Sequence, residues 1–154
     1  MKTINLKKMF EAQRELDKRI IKEKGLETRE LWVEKQLALC TELGEMANEW
    51  RKFKYWSDDQ ETRREKLLEE YVDCLHFVLS IGLDLGFDQA KVKTDDNQSL
   101  RTVDMLLFFK TPVKDKYLKE FIELAFSFGF TWEEVEAAYF KKNAVNHDRQ
   151  DVGY

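Results

Sequence analysis

Four acidic residues in two short repeats carry the clearest chemical signal in the sequence. Glu42 and Glu45 form an E-x-x-E, and further on Glu70 and Asp73 form an E-x-x-D. Residues three apart on a helix stack one above the other, so each pair faces one way. Two antiparallel helices can therefore aim all four carboxylates into one cavity. Hard oxygen donors select Mg2+ or Mn2+, and without a cation the four charges repel. One or two such ions clamp the oxygens of a di- or triphosphate and activate a water. A plainer reading competes for each glutamate. Glu42, Glu45 and Glu49 run beside the stripe Leu39, Leu43, Met46 and Trp50, where a single glutamate is most often a solvated boundary residue. Asp73 resists that reading. It lies within YVDCLHFVLSIGL (71–83), apolar almost all round and so marked for burial. An ionised aspartate there needs either a basic partner or a bound cation.

Di-iron bundles share this geometry but use two Glu-x-x-His pairs. Here Asp73 and His76 supply a single Asp-x-x-His, and the other histidine is the distant His147. His76 therefore reads as a core or supporting histidine. Near the C-terminus Lys142, Asn146 and Arg149 stand at i, i+4 and i+7, and such donors on one helix face suit phosphate oxygens. In isolation they would be a basic helix end balancing the macrodipole. Beside a carboxylate cage they read as complementary anion contacts. Gln13 and Asp17 interrupt an apolar stripe of Phe10, Leu16 and Ile20. They are either boundary residues or groups that read a base edge. No nucleophilic triad and no Gly-rich phosphate loop stands out.

The elements that must position these residues are helices. The chain has 154 residues, the length of a single domain, and only one proline and six glycines. Sheets need frequent turns built with Gly, Pro, Asn or Asp, so the chain reads as all-α, a helical bundle with a four-helix core. The pattern predicts helices over 3–24, 29–54, 63–85, 100–109, 113–128 and 131–147, the last opening at Thr131 with Glu134 at capping-box spacing. SDDQET (57–62) is a polar break, and 88–99 the best loop. Twenty-six basic against 30 acidic residues, net −4, argue against a nucleic-acid module driven by bulk positive charge. No apolar run is long enough to span a bilayer. The opening residues lack a signal-peptide core, and Cys40 and Cys74 form no CxxC. A cytoplasmic protein with two free thiols is expected.

Three stretches together resemble a known family: ELGEMANEWRKFKYW (42–56), EEYVDCLHF (69–77) and YFKKNAVNHDRQDVGY (139–154). They are similar to the dimeric, all-α dUTPases of the MazG-like superfamily of nucleoside triphosphate pyrophosphohydrolases. The resemblance covers essentially the whole chain, 1–154. The E-x-x-E/E-x-x-D pair is a superfamily mark, whereas FKYW, DCLHF and K-N-x-x-N-x-x-R-Q-x-x-G-Y are closer to the dUTPase branch. The resemblance implies Mg2+-dependent hydrolysis of dUTP, and of dUDP, to dUMP, with Mn2+ as a substitute metal. It implies Glu42, Glu45, Glu70 and Asp73 as metal ligands, with Glu42 also orienting or deprotonating the attacking water. Lys142, Asn146 and Arg149 would hold the phosphates, with Asn143 and Tyr154 close by. Phe77 would pack on the deoxyribose and leave no room for a 2′-hydroxyl. Gln13 would contact uracil, and Lys54 and Trp56 would lie at the rim. Some relatives carry Asn near the position of Asp17. A homodimer is implied, with sites that can draw on both chains, and neither nucleic acid nor membrane as partner. Two rival readings are a sister pyrophosphohydrolase acting on dCTP or a modified nucleotide, and a non-catalytic helical interaction protein.

Overall fold

The computed structural model describes residues 2–87, 91–95 and 100–153. Among them run six helices: α1 (Lys7–Glu23), α2 (Trp32–Trp50), α3 (Arg64–Asp84), α4 (Thr102–Lys110), α5 (Asp115–Ser127) and α6 (Trp132–Asp151). Two short strands, β1 (Lys2–Asn5) and β2 (Lys91–Thr94), pair antiparallel with Ile4 opposite Val92. No described helix is long and apolar enough to cross a membrane. Both cysteines are free.

Helix α3 is the centre because its sequence is apolar on almost every side. Leu67, Tyr71, Cys74, Leu75, Val78, Leu79 and Ile81 are all fully buried. Around it pack α1, α2, α5 and α6, and α1 also packs on α6, so α1, α2, α3 and α6 form the four-helix core. An ion pair of Lys35, early in α2, with Asp84, at the end of α3, spans 2.5 Å and fixes the two helices antiparallel. On the α5 side the Tyr71 and Phe121 rings stack at 4.8 Å, and the Tyr71 hydroxyl donates to the Phe121 carbonyl at 2.9 Å.

Three boundaries depart from the sequence expectation. Residues 2–5 are a strand rather than the start of the first helix. Only Ile4 of KTIN faces inward, an alternation too short to stand out in sequence, and it needs the distant KVKT to pair with. The same pairing makes part of the expected loop 88–99 a strand. At the other end of this strand, Asn5 Oδ1 accepts from the Lys7 N–H at 3.1 Å.

The second helix ends at Trp50, four residues before its expected end near 54. Arg51 turns left-handed at φ 66°, a conformation that a residue bearing a Cβ adopts only when its surroundings hold it there. Its buried guanidinium donates to the Asp59 carbonyl at 2.7 Å, and Thr62 Oγ1 donates to the Trp50 carbonyl at 3.0 Å. The loop thus folds back, and the Thr62 hydroxyl together with the Arg63 N–H, 3.0 Å from the Glu49 carbonyl, satisfies carbonyls that a helix end leaves open. Helix α6 instead runs on to Asp151, where Arg19 of α1 pairs with Asp151 and donates to the His147 carbonyl at 3.1 Å. Its start is as expected: Thr131 and Glu134 form a reciprocal capping box.

The rings of Tyr71, Phe121 and Tyr117 stack where α5 packs on α3. Phe121→Ala should cost about 3–5 kcal/mol through the cavity it leaves. Urea unfolding followed by circular dichroism would measure this, and a loss below about 1 kcal/mol would show that the stack is dispensable.

Candidate active site

The two halves of the acidic motif meet along the α2–α3 seam. Oxygens of Glu42 and Glu45 on α2 and of Glu70 on α3 all lie within 4.8 Å of one another. Asp73 was expected to join them as the fourth carboxylate. It stands outside that close group, because its Oδ2 accepts from the ammonium of Lys142 on α6 at 2.6 Å. Its ionised form therefore has a basic side chain for a partner.

Crowding of like charges shows in their acidities. Glu70 is pushed up to about 7, first by burial and then by the charges of Asp73, Glu45 and Glu42. Glu42 is raised by burial and by Asp73 and Glu45, against the pull of Lys142 and Arg149. Burial also raises Asp73, while the Lys142 hydrogen bond and charge hold it down. Three convergent hard oxygens, with Glu42 and Glu70 made less acidic by burial and by neighbouring charge, suit a small divalent cation. The donor set thus fits Mg2+ or Mn2+.

From this cluster a cleft of about 380 Å3 opens between α1, α2, α3 and α6. Glu42, Asp73, Lys142, Asn146 and Arg149 line it, together with Phe77, Gln13 and Asp17. The i, i+4, i+7 face of α6 thus meets the acidic motif, because the helix continues past 147.

The inner end of the cleft is a hydrogen-bonded frame. Gln13 Nε2 donates to Asp17 Oδ1 at 2.8 Å, and Ser80 Oγ donates to Asp17 Oδ2 at 2.7 Å. The Tyr139 hydroxyl donates to Gln13 Oε1 at 2.9 Å, and His76 Nδ1 lies 2.8 Å from the same oxygen. His76 stacks on Tyr139 at 4.2 Å. Burial, then the Lys142 charge, lowers the His76 pKa to about 3, so the ring is neutral. Asp17 is raised by burial and held down by the Ser80 and Gln13 hydrogen bonds.

Three residues singled out in the sequence do not line the cleft, and a fourth falls outside the described residues. Lys54 and Trp56 sit in the loop after α2 and do not line the cleft. Trp56 is 65% exposed, its ring edge-on to Phe53 and Tyr55. The Lys54 ammonium lies 5.9 Å over the neighbouring Phe53 ring. Asn143 is buried, one turn after Tyr139, and does not line the cleft. Tyr154 falls outside the described residues. Ser80 and Tyr139 belong to the inner frame and were missed. Ser80 was within reach of sequence reasoning, since Asp73, His76 and Ser80 stand at i, i+3, i+7 of one helix face. Tyr139 carried no such signal, because a tyrosine in an amphipathic helix is ordinary core.

A family model described as dUTPase matches residues 5–154. On an all-helical frame, that match makes the protein a nucleoside triphosphate pyrophosphohydrolase. The chain belongs to the dUTPase family, whose activity is that of a dUTP diphosphatase. A search of curated proteins returned no match.

The raised pKa of Glu70 has a consequence for stability. Its folded pKa of about 7 exceeds the ordinary 4.5. The folded state therefore holds more protons than the unfolded chain between these values, and this group's contribution falls as pH rises through the window. His76, with a folded value near 3 against 6.5, contributes in the opposite direction below pH 6.5. A variant comparison separates the two. In metal-free protein, Glu70→Gln should raise the melting temperature more at pH 8 than at pH 5. An equal shift at both values would show that Glu70 titrates normally.

Proposed function

We propose that this cleft is the active site, and that the protein hydrolyses dUTP to dUMP and pyrophosphate with Mg2+ as cofactor, Mn2+ serving in its place, and accepts dUDP as well. One observation carries the reading. A single cleft joins Glu42 and Asp73 of the acidic seam, the Lys142–Asn146–Arg149 face, the Phe77 ring and the Gln13 amide. Those are the parts that the phosphates, sugar and base of a deoxynucleoside triphosphate need.

Glu42, Glu45, Glu70 and Asp73 would hold the metal. When bound, it supplies positive charge to the phosphate oxygens and makes water a better nucleophile. The rest falls to side chains. Glu42 faces the cleft with its carboxylate less acidic than usual, which suits a base that orients a water and takes its proton. The anhydride bond joining the nucleoside monophosphate to pyrophosphate breaks as the new P–O bond forms. Lys142, Asn146 and Arg149 meet the charge on the phosphates, since phosphoryl transfer depends on position and neutralisation more than on covalent help. The Phe77 ring packs on the sugar and excludes a 2′-hydroxyl. Gln13, held from three sides by Asp17, Tyr139 and His76, presents a pre-set edge to uracil. A fixed amide costs less to organise on binding than a mobile one.

The working unit is a homodimer in this reading. Val33 and Leu37 on α2 and Val103, Leu106 and Leu107 on α4 are exposed apolar side chains on two helices in contact, a surface suited to a second copy. In the assembled dimer Lys54 and Trp56 act at the rim of the nucleotide site, and Asn143 and Tyr154 act close to the phosphates. The setting is cytoplasmic, in keeping with the free cysteines.

Turnover of dUTP, dUDP, dCTP, dTTP and UTP with Mg2+ tests the substrate, with dUTP expected fastest. Faster turnover of dCTP than of dUTP would overturn the assignment. Asp73→Asn and Glu45→Gln should each reduce kcat at least about a hundredfold, the scale of removing a preorganised charge contact. Phe77→Ala should raise UTP turnover relative to dUTP. Both acidic variants retaining full activity would sink the metal-site assignment and favour a solvated acidic face.

A further inference from the structure

The Lys142 ammonium is committed to Asp73, a residue that the proposed function needs as a metal ligand, while Lys142 itself is needed by the phosphates. We propose that Lys142 is the resident cation of the carboxylate cluster: it neutralises Asp73 in the free protein and exchanges that partner for phosphate when metal arrives, so metal and nucleotide load cooperatively. This rests on the functional reading above and adds a coupling to it.

Two observations carry it. The first is the 2.6 Å contact itself, between side chains only 18% and 28% exposed. A pair so sheltered is screened far less than a surface one. The second is the arrangement of the other acids. Glu42, Glu45 and Glu70 gather within 4.8 Å of one another, and Asp73 is not in that group. The free protein therefore has three oxygens ready for a cation and the fourth engaged elsewhere.

Exchange follows from the stems involved. All four carboxylates project from α2 and α3, which are packed along their length. Lys142 reaches them from α6 through four flexible carbons, so its ammonium can change partners without any movement of the helices. A divalent ion at the cluster competes with the ammonium for Asp73. The released ammonium lies in the same cleft as Asn146 and Arg149, where a polyphosphate offers more negative charge than one carboxylate does. Linkage makes the effect reciprocal: nucleotide raises metal affinity by the factor by which metal raises nucleotide affinity. Lys142 also weakens metal binding to the empty enzyme, since the ion must first displace it.

The test is a titration of Mn2+ into the full-length, metal-stripped protein, read by electron paramagnetic resonance of the free ion. It is run with and without a non-hydrolysable dUTP analogue. Without nucleotide, Lys142→Met should bind Mn2+ about fivefold tighter or more than wild type, and the gain in Mn2+ affinity on adding analogue should shrink correspondingly. Lys142→Arg, which keeps the charge, should restore the weaker binding. Lys142→Gln is the second neutral variant, and circular dichroism checks that each folds. Unchanged or weaker Mn2+ binding in either folded neutral variant overturns the proposal. The readout needs no turnover. Turnover of dUTP by the unsubstituted enzyme, with unaltered Mn2+ binding in the neutral variants, would defeat only this coupling; tightened Mn2+ binding in those variants, with no dUTP turnover by the unsubstituted enzyme, would defeat only the functional reading.

Discussion

Holding several carboxylates together in a half-buried seam is the constraint on which the rest of this structure depends. Like charges within 4.8 Å repel, so the helices that bear them must be held by something stronger on their other faces. That is the role of the apolar core. Leu39, Leu43 and Met46 on α2 and Leu67, Tyr71, Leu75 and Leu79 on α3 are almost wholly excluded from water. Each deeply buried side chain of this size contributes about 1.5–3 kcal/mol relative to exposure. The seam is thus acidic on one side and dry on the other, and the dry side keeps the acids where they are.

The same constraint explains why α6 matters beyond its own stripe. Its capping box at Thr131–Glu134 fixes where the helix begins, and contacts from Arg19 fasten its far end at His147 and Asp151. With both ends held, Lys142, Asn146 and Arg149 share one line of the cleft. Tyr139, on the same helix, reaches inward to Gln13 and stacks on His76. One helix therefore organises both the Lys142–Asn146–Arg149 face and the frame around Gln13. Chemistry that spans a whole nucleotide is built on rigid elements, with the mobile part reduced to side-chain tips.

Much of this was legible in sequence, for reasons that can be stated residue by residue. The E-x-x-E and E-x-x-D pairs needed only the helical repeat to place each pair on a face. The apolar run around Asp73 needed only hydropathy to predict its burial, and Asp73 is indeed largely shielded. His76 was expected as a supporting residue, and it is buried and neutral. Less was legible where a partner lay far along the chain. The strand at 2–5 depends on pairing with 91–94. The early stop of α2 at Arg51 depends on a loop that folds back, accepting from the Arg51 guanidinium at Asp59 and donating from Thr62 to the Trp50 carbonyl.

By itself, then, the sequence determined the helical class, the separation of acids from the Lys–Asn–Arg face, and which residues share a face. These follow from local periodicity, which has a range of a few residues. Tertiary structure alone decided that Asp73 turns to Lys142 rather than to the three glutamates. It alone decided that Ser80 and Tyr139 complete the frame around Gln13, and that Lys54 and Trp56 lie off the cleft in a single chain. A salt bridge between α3 and α6 depends on crossing positions and side-chain reach in three dimensions, and neither is written in the spacing of residues along one helix.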